Sequence, residues 1–546
     1  MKTETEPSQA SVAYPRPQGQ PQVDPWLFVP VLYIMQAIPV TVVQELATIF
    51  YKDMGIANEP ITRWTSLIAI PWSLQLLLGP LVDLNLTKRW WTLTGQAVCA
   101  IGIIAAAFSL RAPHAFELSL VILGATAIVS ALCNIATDGF YILSMTRDQQ
   151  ARFVGIQSLC YRLGRFFCVA WLVQAAGKLM DGGMDKMTAW LIVLAACGGI
   201  YFLGHLISRV TVPRPAADRP AVPQEPIDNR RNVARTFAVL GLGLGGYFAM
   251  NSIVRLAANG LWLVLDGSPA GKLHGWMLAG QADLLGITMP AIQAEFVQLI
   301  VSGAAAIACY LAAKRSIAHT AMGDAFGSFL RQPGIVPIFF FILFYRFGEA
   351  MVSKMSPLFL KDSIAAGGLA IPDAQLGIVK GYAGVLGIIL GGILGGLLVG
   401  KAGLRKAILP LAICMHLPNL LYLMLATTRV PLGVVDFSHH GWLGDYFGVV
   451  PFTLVGVDFV DQFGYGFGFA AYMVYIMYVA QRGRYQTAHM AIGTGAGALC
   501  IAVAGIVSGI IQSNFGYPVL FISVIFLSLP GLLTLFFIPL DNRAPS

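Results

Sequence analysis

Asp138, Arg162, Arg165, Arg346, Glu349 and Asp461 are ionisable residues set inside long apolar runs. A charge at the centre of a membrane-spanning helix costs about 2.5–3.5 kcal/mol on insertion scales, so such a residue is either paired or in contact with a wet path. Arg162 and Arg165 are three positions apart and share a helix face; Arg346 and Glu349 repeat that spacing within Tyr345-Arg346-Phe347-Gly348-Glu349. Asp138 and Arg162 fall on the two arms of one antiparallel hairpin, roughly 10 and 15 Å in from its cytoplasmic end, and can meet. Asp458 and Asp461 share a face nearer the outer mouth, and Glu45 also lies toward the outside. Interhelical salt bridges that fix packing would account for any one of these charges. Taken together, three arginines and two carboxylates at comparable depth exceed what pairing needs. The set suits attraction of an anionic solute by Arg162, Arg165 and Arg346. Asp138 or Glu349 would then take up and release a proton as its arginine partner is drawn toward the solute.

Aromatic residues near these charges, Trp72, Tyr161, Trp171 and Tyr345, suit either stacking on a sugar face or the filling of apolar space. Two glycine series, Gly387-Gly391-Gly395 and Gly392-Gly396-Gly400, form small-x-x-x-small stripes that predict close helix packing and name no ligand. Gly241-x-Gly243-x-Gly245-Gly246 has no preceding strand, so no nucleotide loop is read there and no cofactor is expected. His439-His440 with Asp436 and Asp445 lack a third ligand at helical or ribbon spacing, so no metal is assigned. The eight cysteines lie in apolar segments without a Cys-x-x-Cys pair and read as small core residues.

The elements that must hold these residues are transmembrane helices. A chain of 546 residues, 57% hydrophobic and only 11% charged, has too little polar surface to fold in water. Its net charge of +8 is spread in small groups between apolar runs, the layout of membrane loops rather than of a nucleic-acid surface. Residues 1–25 form a polar tail without a signal-peptide pattern. Spans are expected at Trp26–Tyr51 and near 61–82, 90–110, 116–145, 153–177 and 187–210. A Pro-rich basic linker (212–235) follows, then two extra spans near 236–265 and 288–313 within a 236–333 insert. Six more lie near 334–359, 375–400, 404–426, 452–480, 487–512 and 516–539, with a short tail at 541–546. Lys and Arg concentrate in the loops on the side of both termini, which places the termini in the cytoplasm.

Two halves, 26–211 and 334–540, carry an internal repeat. Phe50-Tyr51-Lys52-Asp53 is echoed by Phe359-Leu360-Lys361-Asp362. Gly79-x-x-x-Asp83 followed by Lys88-Arg89 is echoed by Gly396-x-x-x-Gly400-Lys401, with Gly in place of the acid. The Gly79–Arg89 hairpin resembles the cytoplasmic gating loop of the major facilitator superfamily, which implies two six-helix bundles with the substrate between them. Pro71-Trp72 with Gly79-Pro80, Ala136-Thr137-Asp138-Gly139-Phe140-Tyr141, Tyr161-Arg162-x-Gly164 and Tyr345-Arg346-x-Gly348-Glu349 together resemble the AmpG-type muropeptide permeases, a group related to acetyl-coenzyme A transporters. Asp461 with Gly464, Gly466 and Gly468 resembles the acid and glycines of that family's late helix, and the two extra spans resemble its layout. The resemblance implies proton-driven import of anhydromuropeptides across the bacterial inner membrane for peptidoglycan recycling. Asp138 and Glu349 are the carboxylates it carries over, and with Asp461 they form the expected proton-coupling set. The 427–456 outer segment is longer than the family pattern, and the second-half turn lacks its acid. A monomer is expected, with an anionic solute, protons and the bilayer as its partners. The alternatives are an acetyl-coenzyme A or other organic-anion transporter of the same fold, and a membrane-embedded transferase. The latter needs a catalytic site at a membrane face that these short loops do not build.

Overall fold

The computed structural model describes residues 24–540 apart from 76–77, 79–81, 83–85, 146, 216–217, 220–228, 267–280, 285–286, 318–320, 429–432 and 483–485. No water competes for backbone hydrogen bonds inside a bilayer, so apolar runs of this length close on themselves as helices. Among the described residues, eleven helical stretches are long and apolar enough to cross a membrane. The protein is an all-α, multi-pass membrane protein.

The first half comprises α1 (Pro25–Asp53), α2 (Asn58–Ile68), α3 (Lys88–Ser109), α4 (Ala115–Ser144), α5 (Arg147–Phe166), α6 (Val173–Asp181) and α7 (Lys186–Thr211). Helix starts are set by side chains. Asp24 accepts from the Trp26 N–H at 3.0 Å, Thr87 from Trp90 at 3.1 Å and Asp185 from Thr188 at 3.2 Å. A π-turn, Phe167–Leu172, joins α5 to α6, and another, Val42–Leu46, lies within α1. α3 packs between α4 and α7, and α1 packs on α5.

Two extra helices follow, α8 (Asn229–Asp266) and α9 (Ala291–Ile317), linked through a small hairpin of β1 (Gln281–Leu284) and β2 (Ile287–Pro290). α8 starts at Asn229, earlier than the expected 236. Beyond Pro226 the chain has only helix-tolerant residues, so nothing stops the helix from extending backward. The pair is tied by an Arg255–Glu295 ion pair of 2.6 Å. It leans on α2 and the last long helix, where Tyr247 packs with Ile70, Ile506 and Ile510.

The second half comprises α10 (Ala321–Leu330), α11 (Ile335–Phe344), α12 (Phe347–Lys361), α13 (Asp373–Ala402), α14 (Leu404–Thr428), α15 (Phe452–Gln481) and α16 (Gln486–Thr534). α16 is two helices meeting at Gly516, whose φ of 78° breaks the helical path just before Pro518. Strands β3 (Val435–Asp436) and β4 (Val449–Val450) pair in the segment between α14 and α15. The stripe of Gly387, Gly391 and Gly395 lies against the α15 backbone at Phe459, Phe463 and Phe467, too close for a methyl group. The second stripe behaves differently, since a methyl at Gly396 or Gly400 would meet open space. The halves touch where α2 packs on α16, and where the Phe167–Leu172 turn meets a third π-turn, Gly377–Ala383, within α13. At that crossing Gly381 abuts the backbone of Ala170.

Candidate functional site

A cavity of about 550 Å3 lies between the halves. α1 supplies Tyr33, Gln36, Gln44 and Glu45; α4 supplies Asp138; α5 supplies Gln157, Tyr161, Arg162 and Arg165. The second half adds Arg346, Glu349, Ser353 and Lys354 around α12, with Gln462, Tyr465 and Phe469 from α15. Four cationic side chains thus share the space with three carboxylates. Local helix irregularities place them. Glu45 sits in one π-turn and Arg165 just precedes another. Arg346 occupies the break between α11 and α12. Single-turn π irregularities redirect side chains that a regular helix would stack in line.

The sequence-derived candidates separate here. Arg165 is committed to Glu45 by two hydrogen bonds, Nε to Oε1 at 2.7 Å and Nη2 to Oε2 at 3.1 Å. This fork-shaped pair neutralises one cation and one acid. Arg162 lines the cavity with no ion-pair partner among the described residues, and its guanidinium reaches toward Gly392 of the opposite half. The expected meeting of Arg162 with Asp138 is not made. Asp138 accepts from the Tyr33 hydroxyl at 3.1 Å and, more distantly, from Gln36 at 3.5 Å. Those two groups on α1 stand between the hairpin arms.

Arg346 does not pair with Glu349, because the helix break takes the two out of common register. Its guanidinium instead lies over the rings of Tyr465, Phe469 and Tyr472, at 5.4, 4.7 and 5.4 Å, and donates to the Tyr465 hydroxyl. Glu349 is 1% exposed, and neither of its oxygens has a partner among the described residues. Asp461 is fully buried outside the cavity lining; one oxygen accepts from Gln462 at 3.0 Å and the other is unpartnered.

Tyr161 lines the cavity, whereas Tyr345 and Trp72 do not. Tyr345 is completely buried, stacked on Tyr472 and donating to the Gly468 carbonyl at 3.1 Å. It braces α11 against α15. Trp72 packs at the edge of the main apolar core. These two rings pack against neighbouring helices rather than facing the path between the halves.

Gly79 and Asp83 of the expected gating loop lie outside the described residues. Lys88 and Arg89 begin α3, and their backbone N–H groups donate to the Asp218 carboxylate at 2.7 and 2.9 Å. Arg89 donates Nε to the Val212 carbonyl and Nη2 to that of Arg209, at 3.1 and 2.9 Å, which clamps the end of α7.

Several participants were not singled out from sequence. Lys354 is buried in the cavity wall with only a 3.5 Å contact to the Gln44 carbonyl. Lys380 pairs with Asp458, which also accepts from Tyr422 at 2.9 Å. A lysine within an apolar run costs as much as an arginine there, and that signal would have found both. At the end of the bundle opposite the described N-terminus, the two halves are joined by swapped charges. Lys52 pairs with Asp362, while Lys361 pairs with Asp53 at 2.7 Å and also with Asp373. Asn58 and Tyr517 both donate to Asp362 at 2.6 Å, and Trp190 donates to Asp53 at 2.7 Å. The Lys-Asp repeat read from the sequence therefore forms a reciprocal lock.

No family model and no curated protein sequence matches the chain. Solved structures do match in fold. A peptide transporter POT in complex with sulfate aligns with TM-score 0.58 at 14% identity, over 95% of this chain and 96% of that one. A POT family transporter in complex with 5-aminolevulinic acid gives 0.56 at 11% identity, over 93% and 94%. A mutant form of the nucleoside transporter NupG gives 0.53 at 13% identity, over 93% and 97%. The chain shares the fold of these solved structures, an all-α multi-pass arrangement of two halves, here with the α8–α9 pair between them.

Proposed function

We propose that the protein is a secondary transporter working by alternating access, and that it moves an anionic glycopeptide with protons. The observation that carries this reading is the cavity between the halves, where Arg162 has no counter-ion and Glu349 no hydrogen-bond partner. Charge left unmatched at such depth is costly unless a solute or proton completes it. A solute carboxylate fits between Arg162 and Lys354, which come from opposite halves, so binding would draw the halves together. Tyr161, Tyr465 and Phe469 offer aromatic edges and faces to a sugar or peptide. Glu349 changes charge as the cation nearest it is engaged by the solute or released, with Asp138 and Asp461 as further proton carriers. The lock of Lys52, Asp53, Lys361 and Asp362 closes one end and must part when the cavity opens there. A cavity of about 550 Å3 is in the range that takes a whole small ligand. Anhydromuropeptides, the solute class implied by the AmpG resemblance, supply both carboxylates and a sugar face. The residues 79–89 would gate the other end.

The test is uptake of labelled anhydromuropeptide into proteoliposomes with and without an imposed proton gradient. Gradient-dependent accumulation is expected. Absence of uptake alongside uptake of a coenzyme A thioester would replace the glycopeptide with the thioester as substrate, and absence of both would overturn the anionic-solute reading.

A further inference from the structure

A second cavity, of about 590 Å3, lies on the flank of the first half, between the start of α3 and the end of α7. Its lining is basic, with Arg89, Arg209 and Arg214 against the one carboxylate of Asp218. That carboxylate is already held by the N–H groups that open α3. Arg89 is partly occupied by carbonyls, but the guanidiniums of Arg209 and Arg214 have no partner among the described residues, and both lie within electrostatic reach of Arg89. Like charges gathered in one recess repel unless an anion joins them. A second observation points the same way. His205 lines this cavity while only 8% exposed, and its Nδ1 is buried without a partner.

The surroundings say where the anion comes from. Trp90 stands at the cavity wall 44% exposed, the position of an indole at a headgroup boundary. Along α7, Leu203, Ile207 and Val210 form one outward apolar face, 59%, 51% and 86% exposed, leading to the basic recess. Acyl chains cover such a face in a bilayer. We infer that this cavity binds the phosphate of an anionic phospholipid, with the phosphodiester among Arg89, Arg209 and Arg214, His205 as a further hydrogen-bond partner, and the chains along α7. Arginine's planar fork suits phosphate oxygens, and basic recesses between membrane helices bind acidic headgroups.

The experiment is a binding titration of the purified full-length protein in a neutral detergent, read by native mass spectrometry and thermal unfolding. The probes are phosphatidylglycerol, phosphatidylcholine and inorganic phosphate. Phosphatidylglycerol should bind and raise Tm, and its affinity should fall roughly tenfold or more in the Arg209→Gln/Arg214→Gln double variant and with added salt. Phosphatidylcholine should bind much more weakly. Neither arginine lines the central cavity, so the double variant should keep solute uptake, which also reports its folding. Should it misfold, the salt dependence of the unaltered protein decides. Equal affinity for both lipids, unchanged binding in the double variant, or salt-insensitive binding would overturn the site. Binding of inorganic phosphate without phosphatidylglycerol would overturn the lipid as its source.

Discussion

The lock at one end of the bundle and the cavity at its middle are built from the same residue types, set at the same interface between halves, and differ in one respect. In the lock every charge has an opposite charge within reach. The side chains of Lys361, Asp53 and Asp373 are 6%, 6% and 4% exposed, so water screens them little. In the cavity only Arg165 and Glu45 are so matched, and at 23% and 34% exposure they are partly wet. Arg162, Lys354 and Glu349 have no oppositely charged hydrogen-bond partner among the described residues. On the proposed reading, matched charges hold two surfaces shut, while unmatched ones wait for a ligand.

That contrast can be broken in graded steps. The largest effect is expected at Glu349→Gln, which keeps the shape of the acid but cannot exchange a proton. Gradient-driven uptake should drop at least tenfold while solute counterflow persists, and equal gradient dependence in variant and parent would remove Glu349 from coupling. Next, Arg162→Gln should weaken solute affinity by about 10- to 100-fold, the range for one hydrogen bond to a charged group of roughly 1.5–3 kcal/mol. An unchanged KM for uptake would place the anion elsewhere. In the lock, Asp53→Ala leaves Lys361 with a weakened set of partners, and loss of one member of a buried pair costs about 3–5 kcal/mol. Cysteine labelling from the lock side should rise, and the exchanged variant Asp53→Lys/Lys361→Asp, combined with Asp373→Asn so that no acid opposes the relocated carboxylate, should restore part of the protection. No rescue would argue against charge matching as the source of closure. The smallest effect belongs to Tyr345→Phe, which removes the hydrogen bond to Gly468 and should cost about 1 kcal/mol in unfolding with KM unchanged. A raised KM would return Tyr345 to the solute path.

The helical architecture was legible because its signal is long-range and redundant. Apolar runs, basic loops and the Lys-Asp repeat all point to paired six-helix halves, and the extra pair α8 and α9 falls where the hydropathy places it. The set of intramembrane charges was legible for the same reason, since lipid makes each one conspicuous. Their partners were not. Arg346 and Glu349 look like an i,i+3 pair only on an unbroken helix, and the break at Tyr345–Arg346 leaves no mark in composition. Arg165 was grouped with Arg162 on helical spacing, yet Glu45, 120 positions away in the chain, claims only one of them. Asp218 is a further case: one of three acids in a Pro-rich stretch, it caps a helix that begins 130 residues earlier. Such pairings depend on which faces of non-adjacent helices meet, and single-sequence spacing does not encode that.

The crossed arrangement of the lock has a mechanical outcome. Because each bundle holds the counter-ion of the other's lysine, neither contact can be released alone without shifting the very strand of chain that carries its twin: Lys52 adjoins Asp53, and Lys361 adjoins Asp362. If the proposed transport cycle opens the molecule at that end, both contacts would part together, and a solute would meet a door that is either barred twice or not at all.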